Sequence, residues 1–247
     1  MFFHIAFGGD MVWHGIFGIE RNVEALLSPT HLLEALGMWA MVSGPMRAAW
    51  KRSDLSIANN WMAMGPMLLS LMATMSGFMF MTQFAHPIHT PHALLSSADA
   101  ALGVAAVLLQ ATILTGIVLL AVRRWTTLPF GSFTLVFTLN ALAMATQHDH
   151  YALVPPAALA GLVADLLLRL TKPSVAQPVA FRLFAIGVPV VYYLFYFLAL
   201  EITAGLRWTI TLWGGAIVLA GIAGGLMSYL LVLPSGFVES TEKAPIR

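Results

Sequence analysis

The feature that most constrains this chain is a succession of apolar segments, each about 20 residues long, running from its first residues to about residue 233. A helix rises 1.5 Å per residue, so each segment is long enough to cross the roughly 30 Å of hydrocarbon in a bilayer. A backbone in lipid must satisfy its hydrogen bonds internally, and the helix does so within a single segment. The pattern therefore predicts an all-α integral membrane bundle.

Composition agrees with this prediction and excludes several kinds of site. The chain is 59% hydrophobic and 9% charged, with a mean hydropathy of +0.84, whereas soluble domains carry about 25% charged residues. The chain has no cysteine, which excludes disulfides and thiolate metal sites, and a net charge of +1 gives no case for nucleic-acid binding. The first apolar stretch lacks a basic segment and a cleavage site, so we expect a retained helix.

Apolar runs and helix breakers predict about eight membrane helices arranged as hairpins. Their approximate bounds are 2–19, 30–49, 60–84, 93–122, 127–147, 154–170, 180–200 and 208–233. They form one transmembrane domain over residues 1–235, with lipid as its main partner, followed by a polar tail over 236–247.

The basic residues set the expected orientation of these helices. Ten of the twelve fall on one side, namely Arg47, Lys51, Arg52, Arg123, Arg124, Arg169, Lys172, Arg182, Lys243 and Arg247. The positive-inside rule then predicts that both termini are cytoplasmic, in the plasma membrane of a bacterial or archaeal cell.

The same topology places seven of the eight histidines near the outer ends of helices. These are His14, His31, His86, His89, His92, His148 and His150. Histidine is amphipathic and favours interfaces in general, but that preference would populate both membrane faces about equally. The asymmetry predicts that the outer, extracytoplasmic layer is the functional one.

The first candidate site is formed by Asp10, His14 and His31. Asp10 and His14 are four residues apart and therefore share one helix face. Ser28 and Pro29 are helix-start residues that place His31 in the first turn of the next helix, and a short hairpin would return it to the level of Asp10. One carboxylate and two imidazoles suit copper, zinc or iron, and Glu34 is a candidate partner for the His31 ring N–H.

A simple Asp10–His14 pair is the competing interpretation of the same residues. A carboxylate at the centre of a membrane helix costs roughly 2.5–3.5 kcal/mol on insertion scales, which favours a functional role. We therefore expect a metal site.

The stretch "DMVWH…SPTHLLEALGMWAMVSG", from Asp10 to Gly44, resembles the copper-site region of the C subunit of particulate methane and ammonia monooxygenases. The resemblance implies that Asp10, His14 and His31 bind one copper ion, and it implies oxidoreductase activity that depends on partner subunits. The spacing from His14 to His31 is a few residues longer than in that family. The last hairpin carries no counterpart of the family's second Asn/His/His cluster.

A second histidine cluster comprises "FAHPIHTPH" (84–92) and "TQHDHY" (146–151), with His86, His89, His92, His148 and His150. If the hairpins pack side by side, these histidines could complete a second metal site or line the approach to the first. Asp99 and Asp149 are candidates to orient them. The competing interpretation is that loop histidines at the outer surface are simply solvated.

Three functions remain open from the sequence. A copper protein related to membrane monooxygenases is favoured. A transporter or metallochaperone-like protein would use the methionine stripe Met72, Met75 and Met79, although packing between helices is the favoured explanation of these residues. A zinc-dependent membrane hydrolase would need an open coordination position on the metal.

Two further polar pairs look structural. Asp165 and Arg169 lie one helical turn apart near the cytoplasmic end and are expected to pair. Glu201 is expected to reach Arg207 across a short loop.

Overall fold

The computed structural model describes residues 2–52, 56–91, 96 and 99–232, apart from the side chains of residues 2–6 and 56–57. The α-helices described are α1 (Phe2–Phe17), α2 (Val23–Leu27), α3 (Pro29–Val42), α4 (Gly44–Trp50), α5 (Trp61–Met81), α6 (Ala100–Arg124), α7 (Ser132–Ala145), α8 (Val154–Thr171), α9 (Pro178–Thr203) and α10 (Ile210–Leu231). No β-strand occurs in this part of the chain, which confirms the all-α prediction. The predicted tail over 236–247 lies outside the described residues.

Five helices in the described ranges are long and apolar enough to cross a membrane: α5, α6, α9, α10 and the helical segment Tyr151–Thr171, which contains α8. The other three predicted crossings are shorter or interrupted. α1 has 16 residues and α7 has 14. The segment predicted over 30–49 is divided into α3 and α4 at Ser43, because Pro45 has no N–H to continue the hydrogen-bond ladder.

In the first hairpin α3 packs against α1, and local backbone features determine where α1 ends and where α3 begins. α1 ends just before Gly18, whose φ of +83° is a left-handed conformation that glycine adopts without strain. α3 begins at Pro29 and is capped by Ser28, whose hydroxyl accepts from the backbone N–H of His31. α3 also contacts α5, which joins this hairpin to the rest of the bundle.

The remaining helices form the main core of the protein. α9 packs against α8 and α10, α8 packs against α7, and α7 packs against α5. Phenylalanine rings fill the interior between them, namely Phe133, Phe137, Phe181, Phe184 and Phe197. α7 and α8 meet at Gly161, where an added Cβ would lie 2.5 Å from the Phe133 carbonyl oxygen. Met75 and Met79 are buried in this core and Met72 packs against it, so all three methionines take part in helix packing.

The two polar pairs expected from the sequence, Asp165 with Arg169 and Glu201 with Arg207, have other partners in the structure. Asp165 is buried and accepts hydrogen bonds from the backbone N–H groups of Phe133 and Thr134, both at 3.0 Å, where it caps α7. The expected pair with Arg169 is replaced by this cap, because unsatisfied N–H groups at a helix start attract a carboxylate. The Arg169 guanidinium lies 5.4 Å from the Phe130 ring centre. Glu201 accepts from the backbone of Leu206.

Candidate metal centre

α1 and α3 bring Asp10, His14 and His31 together, as the sequence predicts. His14 Nε2 lies 3.2 Å from Asp10 Oδ2, and His31 Nε2 lies 3.4 Å from Asp10 Oδ1. One ligand atom from each of the three residues lies within 4.8 Å of the other two. All three side chains are partly buried, so the group is shielded from solvent without being closed. This is the one three-residue group of His, Asp or Glu with metal-ligand spacing among the described residues.

The ring of His31 is fixed by the turn that precedes α3. Its Nδ1 donates to the carbonyl oxygen of Ala25 and lies 2.9 Å from the Ser28 hydroxyl. Because Nδ1 already contacts the Ala25 carbonyl and the Ser28 hydroxyl, the other ring nitrogen, Nε2, faces Asp10. Ser28 therefore both starts the helix and orients the side chain one turn along it.

The ring of His14 is fixed in the same way from the other side. Its Nδ1 lies 3.1 Å from the carbonyl oxygen of Gly18 and 3.0 Å from Glu20 Oε2. Glu20 also accepts a hydrogen bond from the indole N–H of Trp13. Burial acts to raise the pKa of Glu20, but the hydrogen bonds from its own backbone and from Trp13, and the neighbouring histidines, lower it overall. Glu20 is therefore a carboxylate at neutral pH.

Asp10 is held by a hydroxyl group on the facing helix. Thr30 Oγ1 donates to Asp10 Oδ1 at 2.7 Å. Thr30 is buried directly before His31, so the same turn of α3 supplies both the donor that orients Asp10 and one of the histidines. The carboxylate is thus positioned by a residue outside the three.

The tautomers of the two histidines follow from these contacts. Carbonyl oxygens only accept hydrogen bonds, so each ring carries its proton on Nδ1. Each Nε2 then presents a lone pair to an oxygen of Asp10, which is repulsive unless a second proton or a cation lies between them. Ligand atoms around a tetrahedral ion with bonds of about 2.0–2.1 Å are spaced roughly 3.3–3.5 Å apart. The 3.2 and 3.4 Å separations are each of this size, although they go to different oxygens of Asp10, and the three ligand atoms together lie within 4.8 Å of one another.

Glu20 is a site residue that sequence analysis missed. It follows His14 by six residues and does not share its helix face. Gly18 lies between the two residues with a left-handed φ of +83°, which ends α1 and turns the chain so that the carboxylate meets the ring. Helical spacing rules therefore do not predict the contact between Glu20 and His14.

The second histidine cluster has a different arrangement. His86 is buried, and its Nδ1 accepts from the backbone N–H of Ile88 at 3.2 Å. Burial first, and the neighbouring His89 second, lower the pKa of His86 to about 3, so its ring is neutral. The rings of His89 and His148 lie 4.2 Å apart, and those of His148 and His150 lie 6.3 Å apart. His92 lies outside the described residues.

Two residues from other helices hold the loop that carries this cluster. The hydroxyl of Tyr196 donates to the Pro87 carbonyl oxygen at 2.8 Å, and Gln110 Nε2 donates to the Ala85 carbonyl oxygen at 3.1 Å. Both side chains are buried in the core. They connect α9 and α6 to the loop, a role that the apolar sequence around them did not indicate.

The three carboxylates expected to support the histidines lie in different surroundings. Glu34 was expected to accept from the ring N–H of His31, but both ring nitrogens of His31 have other partners. Glu34 instead lines a cavity of about 700 Å³ beside the site. Asp99 is exposed and accepts from the hydroxyl of Ser96 at 3.0 Å. Asp149 is exposed with φ of +58° in the turn between His148 and His150.

No protein-family model, curated protein or solved structure matches this chain. The resemblance to the monooxygenase C subunit stays a prediction. It depends on the residues from Asp10 to Gly44 alone.

Proposed function

We propose that this chain is an integral membrane protein that binds one copper ion through Asp10, His14 and His31. The observation that carries the proposal is the orientation of the two rings. Both histidines donate from Nδ1 to a backbone carbonyl and turn Nε2 toward the same carboxylate. Histidines that bind metals through Nε2 usually have their other ring nitrogen held by a carbonyl or carboxylate.

The donor set narrows the metal to a short list. Two imidazoles and a carboxylate suit divalent copper, zinc and iron, and copper is the strongest binder of the three in the usual affinity order. The resemblance of the Asp10–Gly44 stretch to copper monooxygenase subunits also favours copper. Three protein ligands leave a position for an exogenous molecule. Bound there, copper would supply redox chemistry with dioxygen, in a protein assembled from partner subunits or from further copies of this chain.

The residues around the three ligands give the site its shape. Glu20 and the Gly18 carbonyl fix one ring, while Ser28 and the Ala25 carbonyl fix the other. The rings of Trp13 and Phe17 pack 4.3 Å apart beside His14 and limit water on that side. These residues would hold the ligands in place before the metal arrives.

The membrane topology is part of the same proposal. α3 and α4 together contain about 21 residues, enough to cross about 30 Å of hydrocarbon as one kinked helix, whereas α1 covers about 24 Å. We propose eight crossings of a plasma membrane, with both termini cytoplasmic and the metal site on the extracytoplasmic side.

Cysteine labelling tests this topology, since the natural chain has no cysteine. Glu24→Cys and Lys172→Cys place single thiols at exposed positions on the two expected sides. A membrane-impermeant maleimide added to intact cells is expected to label Glu24→Cys and to leave Lys172→Cys unlabelled until the cells are opened. The reverse pattern would overturn the orientation.

Elemental analysis of protein purified from membranes tests the metal site. We expect about one equivalent of copper in the wild type, and its loss in His14→Ala and in His31→Ala. The matched control is His148→Ala, which removes an exposed histidine of the second cluster and should keep the metal. Zinc in place of copper would redirect the assignment toward a hydrolase. Absence of any metal in the wild type would leave Asp10 and His14 as an ion pair and overturn the proposal.

A further inference from the structure

A second cavity, of about 370 Å³, lies at the end of the bundle where α6 and α8 end and α5 begins. It is lined by the segment before α5, by the loop between α6 and α7, and by the end of α8 with the loop after it. Its polar lining residues are Asn59, Thr126, Thr127, Arg169, Lys172 and Ser174. None of them belongs to the candidate metal centre, so this cavity is a separate feature of the molecule.

Arg169 and Lys172 bring two positive charges to this cavity, and no carboxylate among the described residues lines it. Within the part of the chain that the structure describes, neither side chain forms an ion pair. Asp165, one turn before Arg169, accepts from the start of α7 instead. The positive-inside rule accounts for basic residues at this end of the bundle, but it does not require two of them in the wall of one cavity. The cavity is therefore matched to an anion.

The chemistry of the lining defines the kind of anion. The guanidinium of Arg169 and the ammonium of Lys172 only donate hydrogen bonds, and the hydroxyl groups of Thr126 and Thr127 can donate as well. A phosphate group suits these donors, because arginine can bind two of its oxygens at once and lysine adds a further charged donor. The cavity lies within the range of roughly 300–1,000 Å³ typical of small-molecule sites, so it has room for a phosphate together with the group that carries it.

The position of the cavity favours a phosphate that belongs to a lipid. The helices α5, α6 and α8 lie in segments long and apolar enough to cross a membrane, so their shared end lies at its surface. Trp125 directly precedes the threonines of the cavity wall, and Trp61, 43% exposed, is the first residue of α5. Tryptophan is enriched where a membrane meets water, and basic pockets between helices at that level bind the head groups of anionic lipids.

We propose that this cavity binds the phosphate group of an anionic phospholipid, with Arg169 and Lys172 as its charged donors and the hydroxyl groups of Thr126 and Thr127 as further donors. The exposed Leu170, next to Arg169 in the chain, offers apolar surface to the acyl chains. The proposal depends neither on the bound metal nor on which face of the membrane this end of the bundle occupies.

Native mass spectrometry of the full chain tests the proposal. The protein is delipidated in detergent and titrated with dioleoylphosphatidylglycerol, an anionic lipid, and separately with the zwitterionic dioleoylphosphatidylcholine. We expect one phosphatidylglycerol molecule per chain to bind about tenfold more tightly than phosphatidylcholine, because the two cations of the cavity repel the ammonium group of choline.

Two double variants separate the cavity from the overall charge of this end. Arg169→Gln/Lys172→Gln removes both charges from the cavity wall and is expected to weaken phosphatidylglycerol binding by about tenfold or more, since charge-assisted hydrogen bonds are lost. Lys51→Gln/Arg123→Gln removes the same charge from exposed positions outside the cavity at the same end, and should bind like the wild type. All four side chains are exposed, so both proteins should unfold at the wild-type midpoint. Thr127→Val, which keeps the shape of threonine, should weaken binding by a smaller factor.

Inorganic phosphate distinguishes a lipid from a soluble ligand. At millimolar concentration it should leave phosphatidylglycerol bound, because the acyl chains also hold the lipid on the protein. Full displacement of the lipid by inorganic phosphate would keep the phosphate chemistry but overturn the lipid assignment. Equal binding of the two lipids, an equal loss of binding in both double variants, or unchanged binding in Arg169→Gln/Lys172→Gln would overturn the proposal.

Discussion

Glu20 Oε2 lies 3.0 Å from His14 Nδ1, and the same carboxylate accepts from the indole of Trp13. Through this contact, the loop after α1 holds the ring of His14, whose Nε2 faces Asp10. The ring donates its Nδ1 hydrogen bond to the Gly18 carbonyl, and the negative charge of Glu20 beside it favours that tautomer and makes Nε2 a stronger donor to a metal. Glu20 therefore acts on the site without being one of the three ligands.

Glu20→Gln is expected to weaken metal binding by about 10–100-fold, the usual effect of losing such a partner. Metal affinity is measured by competition with a chelator of known strength. Glu24→Gln, in the next helix and exposed, is the control and should match the wild type. An unchanged affinity in Glu20→Gln would mean that the Gly18 carbonyl alone orients His14.

Thr30→Val is expected to weaken metal binding by about tenfold, because Asp10 Oδ1 loses the hydroxyl group that donates to it at 2.7 Å. Valine keeps the shape of threonine, so the helix and the ring of His31 should stay in place. Thr30→Ser restores a hydroxyl and should recover most of the affinity in the same chelator competition. Equal affinities in all three proteins would show that Asp10 is positioned by the histidines alone.

The pH dependence of stability is expected to reflect His86, whose pKa is lowered to about 3 by burial and by His89. An unfolded chain binds a proton at this residue below pH 6.5, while the folded protein does not. The contribution of the neutral His86 ring to the free energy of unfolding is therefore fully present above pH 6.5. It is lost as pH falls from 6.5 toward 3, at up to about 1.4 kcal/mol per pH unit.

Thermal unfolding at pH 7.5, 6.0 and 5.0 measures this effect. His86→Asn keeps an acceptor for the Ile88 N–H but does not titrate, so its midpoint should fall less than that of the wild type between pH 7.5 and 5.0. His148→Asn, at an exposed position, should follow the wild type. Parallel curves for wild type and His86→Asn would contradict the assignment.

The parts of the site that sequence analysis predicted depend on short-range rules. Asp10 and His14 share a face because helical spacing requires it, and Ser28 with Pro29 fixes the start of α3 and hence His31. The position of Glu20 depends instead on the left-handed Gly18 and the loop that follows it, where the backbone can take many paths and has no periodic pattern.

The limits of the fold prediction have a similar origin. Hydropathy located the apolar segments, and five of them are helices long enough to cross a membrane. Hydropathy did not indicate the division of the second segment at Ser43 or the 14-residue length of α7, which depend on where the backbone ladder is interrupted and capped. The Asp165 cap is likewise a contact between helices, whereas the expected Arg169 pair came from spacing within one helix.

Gly161→Ala is expected to destabilise the protein by about 1–3 kcal/mol, because its Cβ would lie 2.5 Å from the Phe133 carbonyl oxygen and 2.6 Å from Thr134 Cα. Backbone atoms on α7 cannot move aside as a flexible side chain can. Gly215→Ala in α10 is the control, since its Cβ would meet open space and alanine favours the helix. Thermal unfolding in detergent should show a lower midpoint for Gly161→Ala alone, and equal midpoints would contradict the close contact of α7 with α8.

Asp165→Ala is expected to be among the more destabilising single changes in the described part of the bundle. The carboxylate accepts from the N–H groups of Phe133 and Thr134 and, at 2.7 Å, from the Thr134 hydroxyl, all at the buried start of α7. Alanine leaves these donors without an acceptor, at a cost of about 3 kcal/mol, or roughly 6–12 °C in unfolding midpoint for a chain of this size. Asp165→Asn, which keeps one acceptor oxygen, should lie between alanine and the wild type. The exposed Asp149→Ala should unfold like the wild type, and a similar midpoint for Asp165→Ala would show that α7 begins without this cap.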